Sequence, residues 1–462
     1  MPTITTVNPA TGRDLTSYDT HDEAALDTAI GCAHTAYVAW AQRPLGERTD
    51  LLRTVGTLLT ERRTGYAALI TAEMGKPLAE ALAEIDKCAW NCEVVADSAA
   101  GWLADHEVAS AAAKSWLSYE PLGVVFAVMP WNYPFWQALR FACTALVAGN
   151  AGVLKHSPNV TGCALAIEDL FVDAGAPAGL FTTVVLADAE LPDATPRIIG
   201  DPRIAAVTLT GSERAGEAVG GAAGGFLKKS VLELGGSDPF VVLDDADLAA
   251  TAVAAAKSRF GNNGQSCIAA KRFIVAESVA DEFVALLVER VAALRVGDPT
   301  APDTTVGPMA RADLRDGLHD QVTRALAEGA TLVTGGHPID SDGYYYAPTV
   351  LDHVEPRTVT FDEETFGPVA AIVRARDDDH AVDLANDTVY GLGAAVWGSP
   401  ERALAVGRRI RSGALFVNAI VASDPRLPFG GIGRSGFGRE LSAEGIREFT
   451  NVRTVFVGAT QS

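Results

Sequence analysis

Cys267 is the residue of this chain with the most to offer chemically. It ends the run Phe260-Gly-Asn-Asn-Gly-Gln-Ser-Cys267 and is followed by Ile-Ala-Ala-Lys271. A lone cysteine is commonly inert core and behaves as a small hydrophobe. A polar, glycine-rich approach predicts something else: a turn whose backbone N–H groups favour the thiolate, the form that acts as a nucleophile. A second segment, Val231-Leu-Glu233-Leu-Gly-Gly-Ser-Asp-Pro239, sets a carboxylate among apolar strand residues. Burying it is costly without a partner or a task. Partial desolvation would raise its pKa toward that of a general base, whereas a salt bridge would make it structural.

Those segments need elements to hold them. From Asp22 to about Asp105 the pattern is helical, with Leu78, Leu82, Ile85, Ala89, Cys92 and Ala96 recurring at helical spacing. After Pro121 come short apolar runs: Val124–Val128, Gly152–Leu154, Thr183–Leu186, Ala205–Leu209 and Val231–Leu234. Helical segments such as Phe135–Val147 and Thr161–Asp173 separate them. Runs buried on both faces with helical crossovers predict a parallel α/β sheet. Such sheets bind ligands beyond the carboxyl ends of their strands. Attention therefore falls on Met129–Asn132, Lys155–Ser157, Thr210–Ser212 and Glu233–Gly236. A second α/β pattern runs from about Phe240 to Phe416, with strands near Phe273–Val275 and Ala370–Val373 and a helix over Asp281–Leu294. Near the end, Gly431-Ile-Gly-Arg-Ser-Gly436 matches a dinucleotide fingerprint in letters only, lacking the strand before it and the helix after it.

Composition excludes other classes. Of 462 residues, 58 are acidic and 37 basic, a formal net charge of −21. That surface repels nucleic acid, and no basic cluster offsets it. The N-terminus lacks a signal-peptide pattern, and no apolar run approaches the roughly 20 residues that span a bilayer. Six cysteines without CxxC, and histidines without HExxH, predict no disulfide framework and no metal. A soluble, cytoplasmic, metal-free protein is expected.

LELGGSDP followed by FGNNGQSC resembles the paired signatures of the aldehyde dehydrogenase superfamily. Asn8–Gly12 (NPATG), Pro130–Pro134 (PWNYP), Thr210–Ser212 (TGS), Glu363–Pro368 (EETFGP) and Pro428–Gly431 (PFGG) extend the resemblance along almost the whole chain. It implies an aldehyde dehydrogenase-like α/β fold with a Rossmann-type cofactor domain (1–109 and 123–232) and an α/β catalytic domain (233–435). A small oligomerisation arm with the C-terminal tail (110–122 and 436–462) would join a homodimer or homotetramer. Arg453–Val457 also reads as an edge strand, hazardous if left unpaired.

The resemblance assigns roles as well. Cys267 would attack an aldehyde carbonyl, and the Asn132 amide with the Cys267 N–H would hold the oxyanion. Hydride would pass to a nicotinamide, and Glu233 would activate the water that hydrolyses the thioester. Cofactor contacts would come from Trp131, Lys155, Ser157, Gly211, Ser212, Leu234, Glu364 and Phe366. Where many NAD-using members read Lys-Pro-Ser-Glu, this chain reads Lys155-His-Ser157-Pro158. With that glutamate absent, a 2′-phosphate meets no repulsion, so NADP is expected over NAD. Glu213, beside the phosphate-binding turn, departs from the usual Gly-Ser-Thr.

Arg140 lies eight residues after Asn132, about two helical turns. It would hold either a substrate carboxylate or a local acidic side chain. Family succinate-semialdehyde dehydrogenases carry an arginine at this offset and a serine before PFGG, here Ser423. Succinate semialdehyde is thus the expected substrate. Glutarate semialdehyde, a CoA-acylating reaction and a non-catalytic relative are the alternatives.

Overall fold

The computed structural model describes residues 2–459. In it the runs after Pro121 become one six-stranded sheet, ordered 436–437, 229–233, 204–210, 124–129, 151–156, 181–183. All neighbours are parallel except Gly436–Phe437, which pairs antiparallel with the strand ending at Glu233. Successive strands step outward from Val124–Met129 on one side, then resume on the other. That strand is therefore the topological switch point, where open α/β sheets bind ligands. The Pro130-Trp-Asn132 segment leaves directly from it.

Two sequence expectations shift. The run Thr183–Leu186 is strand only over Phe181–Thr183, because Leu180 and Phe181 supply the rungs against Gly152. Residues 436–437, expected with the arm, pair instead with the six-stranded sheet, where they complete the edge next to Glu233.

A second sheet follows in the order 331–334, 349–352, 369–375, 272–276, 239–242, 393–397, 414–417. It is parallel apart from its antiparallel edge Thr331–Thr334. Strands 114–121 and 450–457 pair antiparallel over eight residues and, with 106–107, form a separate three-stranded arm. Val452, Phe456 and Val457 on the arm are largely exposed.

Helix Pro134–Val147 carries the site's forward edge. Proline at its first position is suited to a helix start, and all fourteen of its residues are buried. It lies between the sheet and helix Leu78–Trp102. The longer helix presents Ala81, Ile85, Cys88, Cys92, Val95 and Ala99 as its deepest seam, rotated slightly from the expected stripe.

One buried carboxylate joins the two helices. Glu84 Oε1 accepts from the N–H groups of Phe135 (2.9 Å) and Trp136 (3.0 Å), which are orphan donors at the helix start. Its other oxygen pairs with Lys76 Nζ at 2.5 Å. Lys76 in turn sits 3.9 Å over the Tyr133 ring. Glu84→Ala would leave an ammonium and two amides buried without acceptors. It should cost about 3–5 kcal/mol, read as a lowered urea midpoint, and adding Lys76→Met should recover part of the loss.

Candidate active site

The approach to Cys267 is built from left-handed backbone. Asn262 (φ 53°), Asn263 (φ 56°) and Gly264 (φ 72°) succeed one another in a region that Asn and Gly tolerate best. Their side chains hold that shape. Asn262 Nδ2 donates to the carbonyls of Asn132 and Gln265, both at 3.0 Å. Asn263 accepts from Gly307 N (2.6 Å) and donates to Pro308 O (2.8 Å) and Gly75 O (3.2 Å). Arg259, fully buried, donates to the carbonyls of Gly264, Ala270 and Gly367. The NNGQ run is thus a set of internal clamps that fixes where Cys267 emerges.

Asn132 is brought to the same node. Its Nδ2 donates to Gln265 O (3.0 Å), and its Oδ1 accepts from Gln137 Nε2 (3.1 Å). One amide hydrogen remains for another acceptor. Among the described residues the Cys267 N–H donates to nothing. These two donors fit the oxyanion pair expected from the sequence.

The expectation of a resting thiolate is corrected. Burial pushes the Cys267 thiol up to about 12, and Lys271 and Arg140 only partly offset this. The surrounding turn is buried, where open N–H groups had been anticipated. The sulfur rests protonated and needs a base when it reacts.

Glu233 ends its strand with neither carboxylate oxygen hydrogen-bonded. Burial, then repulsion from Glu440, push its pKa well above the ordinary carboxylate range, while Arg140 and Arg439 pull the other way. No hydrogen bond joins it to Cys267 among the described residues, so a proton would travel between them through water. The glycine-rich 430–438 segment finds its use here. Leu234 N donates to Ser435 O (3.0 Å), and Ser435 Oγ donates to Gly235 O (2.7 Å), clamping the turn after Glu233.

Arg140 is engaged through Nη2, by Glu440 and by Thr210 Oγ1 at 3.4 Å, while its Nε is buried without a partner among the described residues. It is buried in an ion pair with Glu440 and stacks 4.7 Å from the Phe429 ring. It thus has the local acidic partner of one sequence alternative and keeps a donor for the substrate carboxylate of the other. Ser423 Oγ accepts from Lys87 Nζ at 2.7 Å.

The residues expected to contact a dinucleotide gather at the strand ends. Lys155 is buried without an ion pair among the described residues, and burial lowers it to about 8. Ser157 follows it, with Oγ donating to Asn159 Oδ1 (2.7 Å). Between them His156 is held neutral, lowered to about 4 by burial. Its Nε2–H donates to Pro134 O (2.9 Å) and its Nδ1 accepts from Ser157 N (2.9 Å), tying the lysine loop to the catalytic helix. Ser212 caps helix Glu213–Gly225, so the helix start beside Gly211 faces the same edge. Leu234 packs against Gly216, where an added Cβ would come within 2.6 Å. Glu213 is turned away from that turn, ion-paired to Arg434 and accepting from the Tyr390 hydroxyl (3.3 Å).

Glu364 accepts from Gly236 N (3.0 Å) and pairs with Lys271 (3.0 Å). Phe366 meets Trp131 edge-to-face at 5.7 Å. Lys271 is the residue sequence reasoning missed most clearly. It is fully buried, and its Nζ donates to the carbonyls of Cys267 (2.6 Å) and Ser266 (3.1 Å), joining the nucleophile's turn to Glu364. His156, Arg259 and Glu440 were likewise passed over. Only the cost of burying such groups marks them, and burial is not visible in spacing. An unpaired lysine, a helix start, two apolar rings and a carboxylate fit the phosphates, nicotinamide and ribose of a dinucleotide.

The model of the aldehyde dehydrogenase family matches residues 2–455. A probable NADP(+) succinate-semialdehyde dehydrogenase of Synechocystis sp. is 47% identical over 98% of this chain and 99% of its own. An NAD(P)+ succinate semialdehyde dehydrogenase of Escherichia coli is 45% identical over 97% of each. The crystal structure of succinic semialdehyde dehydrogenase from Streptococcus pyogenes in complex with NADP+ superposes with a TM-score of 0.96 at 36% identity, covering 99% of this chain and all of that one. With site geometry and whole-length likeness in agreement, this chain belongs to the aldehyde dehydrogenase family.

Proposed function

We propose that the protein oxidises succinate semialdehyde to succinate with NADP. The observation that carries the chemistry is the node at which the Cys267 turn and the Asn132 amide share the Gln265 carbonyl region, with the Glu233 carboxylate left unpartnered. The named relatives support the substrate and the coenzyme.

Cys267 Sγ passes its proton by way of water to Glu233, which releases it to solvent before the second half of the reaction, and the sulfur bonds to the aldehyde carbon. The developing oxyanion is met by the Asn132 side-chain N–H and the Cys267 backbone N–H, each such donor worth on the order of 3–4 kcal/mol in the transition state. When bound, NADP supplies the nicotinamide that accepts the aldehyde hydrogen as hydride. Cys267 then holds the acyl group as a thioester. Glu233 takes a proton from water, the hydroxide adds to the thioester carbon, and the carboxylic acid leaves as Cys267 regains its proton. A thioester yields to carboxylate-assisted water, so these residues suffice for release.

Lys155 and Ser157 are the contacts proposed for the 2′-phosphate. The lysine's missing counter-charge is the supporting observation. The exposed Val452, Phe456 and Val457 support self-association of the arm into a homodimer or homotetramer. Six free thiols fit a reducing compartment, and we place the protein in the cytoplasm.

Three outcomes are expected. Glu233→Gln mixed with succinate semialdehyde and NADP should accumulate an acyl adduct on the Cys267 peptide by mass spectrometry, and its absence overturns the scheme. In the wild type, the deacylation rate should rise with pH, because Glu233 acts only once deprotonated and its pKa is raised. The kcat/KM with NADP should exceed that with NAD, and Ser157→Glu should reverse the order by repelling the phosphate.

A further inference from the structure

The direction of the Cys267 N–H is set by the peptide that carries it. That peptide joins Ser266 to Cys267, and in a planar trans amide the carbonyl points opposite to the N–H. Whatever grips Ser266 O therefore aims the donor. Two groups do so: Ala269 N at 3.2 Å, from the turn itself, and Lys271 Nζ at 3.1 Å. The same Nζ donates to Cys267 O at 2.6 Å. One ammonium thus holds the carbonyls on both sides of the nucleophile's Cα.

Lys271 brings that grip from outside the turn. Its own N–H donates to Asp238 O (3.1 Å) and its carbonyl accepts from Ala371 N (3.4 Å), directly before strand Arg272–Ala276. The second sheet therefore fixes the lysine, and the lysine fixes the turn. The side chain is fully buried, and its charge is met by Glu364 at 3.0 Å.

We propose that Lys271 is the positioning residue of the oxyanion site, aiming the Cys267 N–H and polarising it through Ser266 O. This rests on the thioester reading above.

An amide whose oxygen accepts from a cation becomes a stronger donor at nitrogen, because linked hydrogen bonds polarise one another where the dielectric is low. Among the described residues the Cys267 N–H has no acceptor, so that gain is kept for a ligand. The Asn132 amide is secured in the same manner, its Oδ1 held by Gln137 and one N–H spent on Gln265 O. Both donors are thus fixed from behind by bonds that leave the front of the site open.

Lys271 also acts on the sulfur. Burial raises the Cys267 thiol, Lys271 and then Arg140 draw it down, and Glu364 and Asp238 push it up. Two reagents separate this effect from the aim of the N–H, using the full-length enzyme without coenzyme. Iodoacetamide alkylates the thiol by displacing iodide and develops no oxyanion. p-Nitrophenyl acetate acylates it through a tetrahedral oxyanion that expels p-nitrophenolate, and kcat/KM for that release reports the acylation step.

Lys271→Met should slow alkylation about 10-fold, because a cation beside the thiol is lost. Acylation should fall about 10-fold or more beyond that, because an oxyanion donor is misdirected. An unchanged ratio of acylation to alkylation overturns the role of Lys271 alone. Should prior alkylation of Cys267 in the wild type leave p-nitrophenolate release intact, the thioester reading falls and this proposal with it. If Lys271→Met fails to fold, Glu364→Gln decides, since it keeps the ammonium and removes the carboxylate that competes for it. Both rates should then rise, and failure of either to rise refutes the proposal.

Discussion

The Glu84 carboxylate is the constraint from which the rest of the site takes its position. It fixes the start of the catalytic helix, two residues beyond Asn132, against the helix that also bears Lys87. An anion at a helix start is favoured by orphan N–H groups and the helix dipole together. Lys76 removes the remaining cost of burying it. On the other side of Pro134, His156 secures the cofactor loop to the same point. Asn132, the Lys155–Ser157 loop and helix Leu78–Trp102 are therefore tied to one point.

Charge placement explains the rest. With a net charge of −21, the chain opposes every anionic ligand at long range. Most buried cations are spent inside: Lys271 on Glu364 and two carbonyls, Arg259 on carbonyls, Arg140 on Glu440. Lys155 and Lys87 are different. Burial lowers both toward 8, and among the described residues neither makes an ion pair. Keeping such groups buried costs stability.

Much of this was legible in the sequence, for identifiable reasons. Parallel strands announce themselves as unbroken apolar runs, so Val124–Met129 and Ile204–Thr210 came within a residue or two. Thr161–Asp173 agreed at both ends. Cys267 and Glu233 stood out because polar and glycine-rich letters interrupt apolar surroundings. Arg140 shows where the reading ran out. Helical spacing placed it near the site, but its partner Glu440 is 300 residues away, and nothing local names it. The thiol of Cys267 failed similarly, since the burial that raises its pKa comes from packing of distant segments.

The Ser435 and Gly436 contacts carry a consequence for biosynthesis. They complete the turn after Glu233 from a segment some 200 residues later in the chain. A nascent polypeptide that has emerged only as far as Phe416 already contains Cys267, Asn132 and Glu233. It still lacks the strand edge that holds the base in place and Glu440, the counter-ion of Arg140. Domains fold as they leave the ribosome, N-terminal portions first. Closure of the turn after Glu233 therefore waits for the last thirty or so residues to dock.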